Sequence, residues 1–148
     1  MKSPKLSWYY KTETDKDYDN SNEIYAGTYD NSKPLSVKLQ LWNNRYGKED
    51  VKNLSNFYLT IFFDNHEDNS LLKYCSVILN GVDILSPKIS ENMATITFPE
   101  NIVLKGVKNN GSAETNLHNF INLELRFDAG DTRLKEDTLK SLYIKIMS

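Results

Sequence analysis

The 148-residue sequence is poor in several things at once. It holds a single cysteine, Cys75, so no internal disulfide can staple it. Cys75 lies in an apolar, strand-like run and reads as a small buried residue rather than a nucleophile, since no motif supplies a partner base. The two histidines, His66 and His118, stand in polar loop contexts outside any His-x-x-x-His or Cys-x-x-Cys spacing, so a zinc site has no motif behind it. Neither a Gly-x-Ser-x-Gly elbow nor a phosphate-cradling glycine loop occurs. With 6 glycines and 4 prolines, the loops must be built from asparagine and aspartate, which tolerate left-handed backbone and cap their own turns. No apolar run approaches the roughly 18 residues of a membrane span, and no basic start followed by an apolar core marks a signal peptide. The expectation is a non-enzymatic protein with no cofactor and no membrane partner, made in a reducing cytoplasm.

What is present is a globular composition, 39% hydrophobic and 26% charged, in a length that suits one domain. The net charge of −2 argues against a nucleic-acid partner. The 17 Asn and 15 Lys against 3 Arg and 4 Ala point to AT-rich coding, as in a low-GC bacterium or one of its viruses.

From residue 24 onward the apolar period is two. Val37, Leu39 and Leu41 alternate with polar residues, as do Ile121, Leu123, Leu125 and Phe127. Leu59, Ile61 and Phe63, then Ile96 and Phe98, and finally Ile144 and Ile146 continue the pattern. These side chains form the expected core. Ile24–Tyr29 and the short Ile102–Leu104 add further strands. Asn80-Gly81 between apolar residues signals a hairpin with a type I′ turn. Val51–Leu54 and Leu134–Leu139 could each form a turn or two of helix, but no long amphipathic helix competes. The expected fold is an all-β sandwich of Ig-like or jelly-roll topology with eight or nine strands over 24–148. Residues 1–23 read as an extended N-terminal arm, because 11–23 are too polar to bury apolar surface.

Two aromatic sets are the candidate contact residues. Trp8, Tyr9 and Tyr10 sit together on the arm and suit partner docking, with Trp8 and Tyr10 on one side of an extended chain; burial on the domain itself is the competing reading. Trp42, Arg45 and Tyr46 follow a core strand and are of the types that dominate binding hot spots. Trp42 points away from the main core face by alternation, and either plugs the end of the sandwich or stands exposed to a partner or a glycan. Among the acids, Asp15, Asp17 and Asp19 begin like a calcium loop, but Asn20 and Ala26 break the pattern. Asp64 and Asp68, with Asp128 and Asp131, are weak calcium candidates. Paired carboxylates of a glycoside hydrolase cannot be read without distances.

The strand Leu35–Trp42, the long loops Asn43–Asn53 and Asp64–Ser70, the Asn80-Gly81 hairpin and the aromatic arm Met1–Tyr10 together resemble the small β-sandwich structural proteins of tailed-phage virions. That resemblance is one of type and carries no site residue with it. It implies a multi-copy virion component of the head decoration, neck, tail or baseplate, docked on other virion or assembly proteins and serving particle structure or host attachment. The alternative is a carbohydrate-binding module for a bacterial surface glycan, which needs Trp42 exposed or two tyrosines exposed together on a flat face. A cytosolic bacterial protein is the third reading.

Overall fold

The computed structural model describes residues 1–10, 16–18, 23–29, 34–63, 69–90, 93–128 and 140–147. Eleven strands are described: β1 (Leu6–Tyr10), β2 (Lys16–Tyr18), β3 (Glu23–Tyr29), β4 (Leu35–Asn43), β5 (Tyr58–Phe63), β6 (Cys75–Leu79), β7 (Asp83–Leu85), β8 (Lys88–Ser90), β9 (Met93–Thr97), β10 (Phe120–Phe127) and β11 (Lys140–Met147). They form a six-stranded sheet in the order β2-β1-β4-β10-β6-β7 and a five-stranded sheet in the order β3-β11-β5-β9-β8. Every described pairing between strands is antiparallel. The all-β sandwich expected from the alternation is therefore what the chain forms. The strands not expected are β1, read as part of the arm, and the short pieces β2 and β8, too brief for a period to show; β7 is the second arm of the expected Asn80-Gly81 hairpin.

The inner faces are set by that alternation. Val37, Leu39 and Leu41 on β4 stand opposite Leu125, Leu123 and Ile121 on β10, and Leu59 and Ile61 on β5 stand opposite Ile146 and Ile144 on β11. All fourteen side chains expected in the core are buried. Asn80 and Gly81 both take positive φ, 51° and 75°, as a type I′ hairpin requires. Val51–Leu54 is not helical: Val51 and Leu54 make isolated bridges to Lys2 and Leu104, which also replace the expected strand Ile102–Leu104. Leu134–Leu139 lies outside the described residues. A short 3₁₀ helix, Asn69–Tyr74, leads into β6.

The N-terminal arm requires correction. Residues 6–10 are β1, an internal strand hydrogen-bonded to β2 on one side and β4 on the other. Trp8 pairs with Leu41, and its ring is 1% exposed within the core cluster. The alternation that places Trp8 and Tyr10 on one side of the strand turns that side inward. Residues 11–15 and 19–22 of the arm lie outside the described residues.

Candidate functional site

The connections at one end of the sandwich, residues 1–5, 44–57 and 98–119, contain no strand; Val51, Leu54, Phe57, Phe98 and Leu104 pin them to the core, but their backbone needs other partners. Asparagine side chains order them. Asn43 Nδ2 donates to the carbonyls of Lys52 (2.9 Å) and Leu104 (3.1 Å), while its Oδ1 accepts from Lys5 N (3.0 Å). Asn44 Nδ2 donates to Glu49 O (2.7 Å) and Gly106 O (2.9 Å). Asn119 Nδ2 donates to Lys105 O (3.0 Å) and Val107 O (2.9 Å). Each amide thus satisfies carbonyls that no sheet reaches, as buried backbone requires. Asn44 also adopts φ 58°, a left-handed conformation that asparagine accepts more readily than most residues.

This scaffold fixes Arg45 and Tyr46. The Tyr46 backbone N–H donates to Asn109 Oδ1 at 3.2 Å, and φ at Tyr46 is 60°. Its ring lies on Gly111, where any Cβ would collide with it, and Gly111 itself has φ 79°. Two reasons therefore demand glycine at 111. Arg45 Nε donates to Gly111 O at 3.2 Å, and the guanidinium carbon lies 4.3 Å from the Tyr9 ring centre, 4.8 Å from Trp42 and 4.9 Å from Tyr46. Cation–π attraction to three rings holds the arginine in place. Tyr46 remains 58% exposed.

Trp42 settles between its two readings: it is fully buried, so it presents no ring to a ligand. Alternation does place it on the outer face of the six-stranded sheet, but there its ring stacks on Phe120 at 4.5 Å and meets Arg45. Its Nε1 donates to Gln40 Oε1 (3.0 Å), and Gln40 Nε2 in turn donates to Asn122 Oδ1 (3.0 Å). Of the arm residues, Trp8 is core. Tyr10 sends its hydroxyl to the carbonyls of Tyr25 and Ala26, each at 3.2 Å. Tyr9 is half-buried beneath Arg45. The three rings are therefore part of a paired strand and not a free tag: Trp8 is enclosed in the core, while Tyr9 and Tyr10 are half-buried.

Two concavities flank the Tyr46-Gly47-Lys48 ridge. One, of about 470 Å³, is lined by residues that include Lys2, Lys5, Arg45, Tyr46, Lys48 and Glu49. The other, a shallow and largely open depression, is lined by Tyr46, Gly47, Lys48, Lys108, Asn109 and Asn110. The basic character of this end is visible in the sequence only once residues 1–5, 44–57 and 105–118 are known to meet.

The remaining candidates stay apart. Burial pushes the Cys75 thiol up from its ordinary 9.0 to about 12, so it is protonated and unreactive at neutral pH. His118 and Asp128 are exposed. His66, Asp64, Asp68 and Asp131 lie outside the described residues, and among the described residues no three His, Cys, Asp or Glu side chains gather to hold a metal. On the outer face of the five-stranded sheet, Tyr25 and Tyr143 meet edge to face at 5.7 Å, and Tyr143 stacks beside Phe62 at 5.8 Å. No family model, curated protein or solved structure matches the chain.

Proposed function

We propose that the chain is a non-enzymatic interaction protein that docks on neighbouring subunits of a larger assembly, a multi-copy component of a bacteriophage virion. The observation that supports this reading is the side of the sandwich where β7 passes into β8. These are edge strands of the two sheets, joined by Ser86-Pro87. Along that side Val82 is 79% and Ile84 68% exposed, with Ile89 and Met93 also open. Burying one such aliphatic side chain against a neighbour contributes roughly 1.5–3 kcal/mol, and an open edge offers main-chain pairing besides. Asp83 and Lys88 charge the same edge, which guards against unselective strand addition.

The test is the composition of purified particles made by the virus that encodes the chain. Quantitative mass spectrometry should find it in many copies. The double variant Val82→Lys/Ile84→Lys should keep its circular dichroism and be lost from the particles. Absence of the wild-type chain from particles, or normal incorporation of the variant, refutes the proposal.

A second reading, glycan binding, draws support from Tyr25 and Tyr143, which share one open sheet face. Tyr25 is 43% exposed and Tyr143 half-buried. Their rings meet edge to face rather than tiling a flat platform, which favours packing over sugar stacking. Binding to a bacterial cell-wall glycan that Tyr25→Ala abolishes is the result that would select it.

A further inference from the structure

The loop end carries charge of one sign in a chain of the other. Residues 1–5, 44–57 and 105–118 hold seven Lys and Arg, with Glu49, Asp50 and Glu114 as the acids, while the whole chain has a net charge of −2. Two of these groups are already engaged. Asp50 Oδ1 accepts the Lys108 backbone N–H at 2.9 Å, and Arg45 is held by Gly111 and three aromatic rings. The ammonium groups of Lys2, Lys5, Lys48 and Lys108 make no ion pair among the described residues. They border the two concavities on either side of the Tyr46 ridge: Lys2 and Lys5 on one side, Lys108 on the other, and Lys48 on both.

We propose that this end of the sandwich is a docking site for an extended acidic segment of a partner protein, laid across the ridge with its carboxylates on Lys2, Lys5, Lys48 and Lys108 and its main chain over Tyr46. Four features favour a polypeptide. The basic groups are spread along two depressions instead of converging on one point, which suits a linear ligand with spaced charges. The free cations are lysines, point charges that meet single carboxylates well. The bidentate arginine fork that suits phosphate is occupied elsewhere. Glu49 lines the same groove, where it can accept hydrogen bonds from the peptide N–H groups between spaced carboxylates, donors that a phosphate chain lacks. Finally, Tyr46 is an exposed aromatic whose backbone and ring are fixed before binding, so little ordering cost attaches to its use as an anchor. This surface is separate from the β7–β8 edge, and the inference does not depend on docking there.

The experiment uses the full chain and a fluorescein-labelled peptide of about twelve residues, alternating glutamate and glycine, long enough at roughly 3.3 Å per residue to cross both depressions. Fluorescence anisotropy at low ionic strength should show saturable binding. The affinity should fall about tenfold or more as salt is raised through the range where surface charges are screened. Lys5→Glu/Lys48→Glu should abolish binding, and Tyr46→Ala should weaken it roughly tenfold at unchanged salt dependence. Lys108→Glu alone should weaken it by a smaller factor. The lysines are on the surface, so thermal unfolding of the lysine variants should match wild type; Tyr46→Ala also loses ring packing on Gly111 and Arg45 and is therefore compared at a temperature where circular dichroism shows it fully folded. The proposal is overturned if the peptide fails to bind at low salt, or if the double lysine variant binds it as well as wild type. Tighter binding of a thymidine oligonucleotide or of hyaluronate than of the peptide overturns it equally.

Discussion

At the scale of single residues, burial decides chemistry. Cys75 carries a clearly displaced titration. Its folded pKa of about 12 lies above the ordinary 9.0, so folding favours the neutral thiol. The sign follows: this contribution to stability is fully present below pH 9.0 and is lost as pH rises from there through about 12. At pH 8 the native protein should resist a thiol reagent that modifies the unfolded chain within minutes; rapid modification of folded protein would contradict the burial. The two tryptophans give a parallel check. Trp8 and Trp42 are both essentially inaccessible, so native fluorescence should be blue-shifted and barely quenched by iodide until the chain unfolds. Trp42 also shows where sequence reasoning reaches its limit. Alternation gave its direction correctly, outward from the main core. Its burial depends on Phe120 and Arg45, brought there by a loop fold that no local period encodes.

Among elements, the long strands were legible and the edges and loops were not. β9, β10, β11 and the first half of β4 bury one face, so a period of two survives in their sequence, while β5, covered on both faces, keeps the strand-like run Leu59–Phe63. β2 and β8 have three residues each, β7 is equally short and shows only through the Asn80-Gly81 turn before it, and β1 hides its role behind a polar neighbour. The loop end is ordered by side-chain amides, and asparagine there looks the same in sequence as asparagine in a solvated turn. Two consequences can be measured. Asn43→Ala strands the Lys5 N–H and the Lys52 carbonyl and leaves the Leu104 carbonyl with the Leu54 N–H alone. It should destabilise the domain by about 2–4 kcal/mol in urea unfolding, against near-neutral values for an exposed loop asparagine. Deleting residues 1–10 removes Trp8 from the core and leaves β4 unpaired along one side. The truncated chain should therefore fail to give a cooperative unfolding transition. A truncated domain that melts like wild type would restore the idea of a detachable arm.

For the whole molecule, the order of strands makes both sheets wait for the end of the chain. β10 sits between β4 and β6 in one sheet, and β11 sits between β3 and β5 in the other. Until residue 127 is available, β4 and β6 have no common neighbour. Until residue 147 is available, β3 has no strand to join it to its sheet. Such non-local pairing must overcome loop-closure entropy before contacts reward it, which predicts folding in milliseconds to seconds instead of microseconds. β11 alone contributes Leu142, Ile144 and Ile146 to the core. At roughly 1.5–3 kcal/mol for each buried aliphatic side chain, their loss is comparable with the whole stability of a typical domain, about 5–15 kcal/mol. A chain ended after Asp128 should accordingly show weak near-ultraviolet dichroism and no cooperative melt, although every strand of the six-stranded sheet is still present. Because the missing strand is central and its partners on both sides remain, a synthetic peptide spanning residues 138–148 should restore the cooperative transition when added in excess. Recovery should be weaker if Ile144 in that peptide is replaced by Asp, since Ile144 faces Ile24 on one side and Ile61 on the other. A truncated chain that folds unaided would show that the six-stranded sheet is an independent unit and that the two halves of the core are not mutually required.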